Sequence, residues 1–158
     1  MRDEGEYREY VAARAPALRR TAYLLCGDWH RAEDVVQAVL IALYVHPPRD
    51  WEAVDGWVRT ALMRRVIDES RRPWRRERPV EALPDTPMLQ HDSAERMALL
   101  DALRTLPIRQ RAVVVLRFWD DLSVQDTAAA LDISEGTVKS HSSRGLAALR
   151  LTLERTHA

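Results

Sequence analysis

Apolar residues recur along this chain at three- and four-residue spacing and never in sustained alternation, and the pattern is broken once, over a proline-punctuated middle. That leaves helices, in two blocks. In the first block, Tyr7, Tyr10, Val11 and Ala15, followed beyond Pro16 by Leu18, Ala22 and Leu25, make one segment that Gly27 ends. Asp28 stands where it can cap a second helix, Ala32 to Val45, with the apolar set Val35, Val36, Val39, Leu40 and Leu43; Pro47-Pro48 stops it. A third helix runs from about Asp55 to Arg72, with Trp57, Val58, Ala61, Leu62 and Val66 on one side and Arg59, Arg64, Arg65, Arg71 and Arg72 elsewhere.

The second block reads as four helices: Ala94 to Leu106, Ile108 to Trp119 behind Pro107, Val124 to Leu131, and Glu135 to about Glu154. Pro107 suits a first turn, and Ser123 and Ser134 each stand directly before an apolar run, as N-caps do. Between the blocks lie Pro73, Pro79, Pro84 and Pro87, four of the chain's eight prolines, with no apolar periodicity among them. The expected fold is all-α: two small helical domains, residues 1–76 and 96–158, on a Pro-rich, acidic linker, residues 77–95. A length of 158 residues suits two such units.

Composition removes several functions. The five histidines are scattered and there is one cysteine, so neither a metal site nor a disulfide is expected, and no cofactor motif is present. Cys26 sits in an apolar run with no basic neighbour before Arg31, which favours a buried structural thiol. No run approaches the ~18 apolar residues of a membrane span, and the first residues lack a signal-peptide core. A cytoplasmic protein without membrane insertion is expected.

Basic and acidic residues balance at 24 each, which by itself argues against binding nucleic acid through bulk charge. The signs are nevertheless segregated. Residues 56–79 hold eight Arg against three acids, residues 80–102 one Arg against five acids, and residues 103–158 eight basic residues against six acids. All the basic residues except Lys139 are Arg.

The most informative stretch is Leu122 to Ser140, which reads as a helix-turn-helix. Ala128 is small where two helices would cross, Leu131, Ile133 and Val138 supply a shared core, and Asp132 falls at the tight turn, where Asp tolerates a left-handed backbone. The second helix then turns Lys139, Ser140, Ser143 and Arg144 outward. Such a helix fits a DNA major groove with its N-terminal turn at the base edges, where Lys and Arg suit guanine or phosphate. A plain helical hairpin in a bundle would present the same polar face to water. Gly136, however, costs ~1 kcal/mol of helix propensity that a bundle has no reason to spend, whereas close approach to a phosphate gives one.

Leu106-Pro107, Gln110-Arg111, Val113, Leu116-Arg117-Phe118, Leu122-Ser123, the hairpin, and Arg144, Leu146, Leu149-Arg150 together resemble region 4 of the extracytoplasmic-function sigma factors. The resemblance implies a unit that reads the −35 promoter element and meets the β flap of RNA polymerase. It puts Lys139, Ser140, Ser143 and Arg144 on the base-reading face and Gly136 and Thr137 beside the backbone. Leu24-Leu25, Gly27-Asp28, Ala32-Glu33-Asp34, Val36-Gln37 is similar to the region 2 helix that binds polymerase, and implies Asp34 and Gln37 facing the β′ clamp helices. The family usually follows that Gln with an acid and then a Phe; here stand Ala38 and Leu40. The run Trp57 to Leu62 with Asp68 and Arg71-Arg72 resembles the −10-reading helix, with Arg59, Arg64 and Asp68 toward DNA and Arg64 where many members carry Asn.

Trp51 follows a Pro-rich loop with charged neighbours and so is the more exposed candidate for stacking on an unpaired base. Trp57 sits in the apolar stripe and reads as core. The implied function is promoter-specific initiation on the polymerase core, with no chemistry of its own and, as in other members, a possible anti-sigma partner. The alternative is an autonomous helix-turn-helix regulator or a response-regulator output domain, in which the first block has no task.

Overall fold

The computed structural model describes residues 4–71 and 93–157. The four middle prolines, Arg72, and the expected linker as far as residue 92 lie outside those residues. Among the described residues every regular element is helical: α1 (Glu4–Cys26), α2 (Trp29–Val45), a 3-10 turn (Trp51–Ala53), α3 (Val54–Ser70), α4 (Ser93–Arg104), α5 (Ile108–Val114), α6 (Val124–Leu131) and α7 (Glu135–His157).

The helix ends follow local chemistry. Gly27, at φ 72°, closes α1 in the left-handed region, and its N–H donates to the Tyr23 carbonyl at 2.8 Å. The Asp28 carboxylate then accepts from the N–H groups of His30 and Arg31, at 2.9 and 3.4 Å, and starts α2. α1 runs straight through Pro16. Pro16 and Ala12 are both exposed, so the carbonyl deprived of its donor can face water.

α1, α2 and α3 pack together around Leu25, Val35, Val36, Leu43, Val58, Leu62 and Met63, all essentially inaccessible. α4 to α7 enclose Leu100, Val113, Leu116 and Val138 in the same way. The two bundles also pack against each other: α1 meets α4 and α5, and α3 meets α5 and α6.

One element departs from the expected run Ile108 to Trp119. After Val114 the backbone widens into a π-helical turn, Val115–Trp119, in which the Asp120 N–H donates to Val115 O at 3.0 Å. Leu122 N–H then donates to Leu116 O at 2.9 Å, and the Arg117 guanidinium donates to Leu122 O. The turn leaves Phe118 and Trp119 exposed and brings Asp120 down onto α1. One extra residue in one turn is invisible to a periodicity count.

Candidate nucleic-acid interface

α6 and α7 are joined as the sequence predicts. The Ser123 hydroxyl accepts from Asp126 N–H at 2.9 Å, Asp132 takes φ 55° and ψ 50°, and Ile133 N–H donates to Ala128 O at 3.1 Å. Ser134 Oγ then accepts from Thr137 N–H at 3.0 Å and lies 2.8 Å from Thr137 Oγ1. Ala128, Leu131 and Val138 are buried at the crossing, with Ile133 half-buried beside them.

Gly136, Lys139, Ser140, Ser143 and Arg144 are exposed, at helical spacing on one side of α7. Thr137 is half-buried and held by Ser134, so it shapes the helix start. The two glycines of α7 behave oppositely. A Cβ at Gly145 would lie 2.6 Å from Val114 Cγ2, so that glycine lets α5 approach. A Cβ at Gly136 would meet only Ser134 Oγ, at 3.9 Å, and no packing among the described residues requires a glycine there. The sequence signal for Gly145 is its place inside a helix, where a glycine marks close approach.

α3 distributes its residues less uniformly. Arg64 and Asp68 are exposed and one turn apart. Arg59 lies roughly 140° to 180° around the helix from them at about 100° per residue, and is half-buried. It lines a cavity of about 210 Å³ between the bundles together with Tyr10, Arg14, Thr21, Asp55 and Asp120. There the Tyr10 hydroxyl donates to Asp55 at 3.1 Å, and Arg14 pairs with the same carboxylate at 3.1 Å. Burial raises the Asp120 carboxyl above the ordinary carboxylate range, opposed by the Thr21 hydroxyl, Arg59 and Arg20. The sequence-predicted −10 set is therefore not one surface in this arrangement.

Trp57 packs against the core as its apolar stripe predicts, whereas Trp51, the more exposed candidate from the sequence, is also half-buried and packed there. The Trp51 ring stands edge-on to Tyr10, centroids 5.8 Å apart, which is why a residue among prolines and charges is not free. Cys26 is half-buried with its thiol pushed up to about 12, chiefly by burial, in keeping with an inert structural group.

Asp34 and Gln37 are exposed on α2. Continuing along that side, Ile41, Tyr44 and Val45 are 61%, 55% and 58% exposed, which makes an apolar extension of the polar pair. The signal for it was present, since α2 is apolar all round from Val39 to Val45, more than one buried stripe needs.

A helical bundle packed against a helix-turn-helix with an open polar row defines a helical DNA-binding protein. Its two parts match separate family models, Sigma-70 region 2 over residues 10–76 and Sigma-70, region 4 over residues 96–149. The chain is 42% identical over 153 residues to the RNA polymerase sigma-E factor of Streptomyces coelicolor, covering 92% of this chain and 84% of that protein. It is 34% identical over 151 residues to the ECF RNA polymerase sigma factor SigL of Mycobacterium tuberculosis, covering 89% and 84%. Among solved structures, the sigma factor RpoE in complex with the anti-sigma factor NepR from Bartonella quintana shares the fold, with a TM-score of 0.74 at 24% identity over 94% of this chain and 97% of that one.

The chain belongs to the extracytoplasmic-function sigma factors of the sigma-70 family. Its function is to bind core RNA polymerase and direct promoter-specific initiation. Its relatives are sigma factors, which are not enzymes. No helix among the described residues is long and apolar enough to cross a membrane.

Proposed function

We propose that the two units divide the promoter between them, with residues 1–76 acting at −10 and on the polymerase, residues 96–158 acting at −35, and residues 77–95 linking them. The open row on α7 carries the reading. Lys139, Ser140, Ser143 and Arg144 meet base edges or phosphate at −35, and Gly136 lets the backbone come close. Arg64 and Asp68, with Arg59 and Trp51, serve −10, where a flipped base is gripped by stacking and by charge. Asp34 and Gln37 on α2 face the β′ clamp helices, and the second unit meets the β flap.

The protein works in the cytoplasm without cofactor or metal, and an anti-sigma factor is a natural partner, since the RpoE neighbour was solved bound to one. The match of the first bundle to region 2 speaks against an autonomous regulator, which would leave that bundle without a task. Run-off transcription with purified core polymerase on a randomised promoter library is the test. Two enriched elements near −10 and −35 are expected. Enrichment of a single element bound equally well without polymerase would mean an autonomous regulator.

A further inference from the structure

The polar groups that wall the cavity beside Arg59 are unequally satisfied by the fold. At about 210 Å³ the cavity has room for roughly seven waters at ~30 Å³ each. Both of its carboxylates are provided for. Asp55 accepts from the Tyr10 hydroxyl and from Arg14, each at 3.1 Å, and Asp120 accepts from the buried Thr21 hydroxyl at 2.8 and 3.1 Å. Arg59, half-buried in the same wall, has no hydrogen-bond or ion-pair partner among the described residues.

The rest of the lining is largely hydrocarbon. Leu18 and Leu122 are half-buried in it, and Leu62 and Leu116 close it from the two cores. Water satisfies a guanidinium but gains nothing from such walls, whereas a purely apolar molecule leaves the guanidinium bare. A compact hydrocarbon ending in one carboxylate answers both, since a guanidinium binds a carboxylate through two parallel N–H donors. A cation would find both carboxylates already engaged, and a polyanion would bring more charge than one guanidinium balances. An apolar concavity with one unengaged, orienting polar group has the make-up of a small-molecule site.

We propose that this cavity binds a small monocarboxylate with an aryl or branched aliphatic body, its carboxylate on Arg59 and its hydrocarbon against Leu18 and Leu122. The occupant touches α1, α3 and the π-helical turn together, so it stabilises the free chain in the arrangement described above. An occupied cavity also withholds Arg59 from DNA; this consequence, unlike the binding itself, rests on the proposed −10 role of that side chain.

Titration of the free full chain with phenylacetate, followed by calorimetry and by the midpoint of thermal unfolding, tests this. A dissociation constant of about 1 mM or tighter is expected, within reach of a ligand of about ten non-hydrogen atoms, together with a midpoint that rises as the acid is added. Phenethylamine, of similar size and opposite charge, should bind at least tenfold more weakly. Arg59→Gln should weaken phenylacetate binding at least tenfold. Should that variant fail to fold, Ala17→Leu keeps every charge, fills the cavity from α1 and should weaken binding by as much. No binding at 10 mM, equal binding of the amine, or binding unchanged in either folded variant overturns the site. Because neither DNA nor polymerase is present, each of those results leaves the sigma-factor reading standing. Failure of the native chain to support initiation by core polymerase would overturn that reading instead, and with it only the consequence for −10.

Discussion

α3 and α7 are both assigned to reading DNA, and the chain prepares them differently. α7 carries its polar row on one open side, with a glycine that no packing among the described residues requires, so the proposed −35 row is exposed as it stands. α3 keeps Arg64 and Asp68 outside while Arg59 faces a cavity closed by the other bundle. On the proposed roles, a reading helix is thus defined by its neighbours as much as by its own side chains, and the packing of the two bundles sets Arg59 apart from Arg64 and Asp68.

The largest effect expected within this comparison separates the two glycines of α7. Gly145→Val drives a side chain into Val114 and should cost roughly 2–3 kcal/mol in urea unfolding. Gly136→Ala meets open space, and should raise stability by up to ~1 kcal/mol while weakening −35 use. Equal destabilisation by both would remove the case for backbone approach at Gly136.

Next comes specificity. Arg144→Ala should lose about 1–3 kcal/mol of discrimination at one −35 position, with stability unchanged within ~0.5 kcal/mol because the side chain is exposed. Asp34→Ala with Gln37→Ala should weaken core binding by roughly 1–2 kcal/mol in a pull-down titration and leave helicity intact. Undiminished core binding would shift the clamp contact to the neighbouring Ile41, Tyr44 and Val45.

The smallest effect concerns Cys26. Folding raises its thiol from 9.0 to about 12, so its contribution to stability is complete below pH 9 and is lost as pH climbs toward 12. At pH 8 iodoacetamide should modify the folded chain at least tenfold more slowly than the urea-unfolded chain; equal rates would mean an accessible thiolate.

The parts of the fold legible in the sequence are those set by a few adjacent residues. Gly27, Asp28, Ser123, Asp132 and Ser134 each solve a local problem of unpaired backbone groups, and each acts where its residue type says it should. The α7 row was legible for the same reason, since helical spacing and a known turn fix which residues share a side. What escaped depends on distant partners. Thr21 and Asp120 are 99 positions apart, so neither the direction of Arg59 nor the burial of Trp51 against Tyr10 is written near those residues. The π-helical turn escaped because widening the helix by one residue changes the path without changing residue types.

The central claim, that one unit reads −35 while the other reads −10, is tested most directly by selecting promoters from one randomised library with core polymerase and three chains: native, Arg144→Ala and Arg64→Ala. The account predicts that Arg144→Ala relaxes preference at −35 and leaves the −10 preference as in the native chain, and that Arg64→Ala does the reverse. Identical selected promoters from all three chains, or both substitutions relaxing the same element, would contradict it.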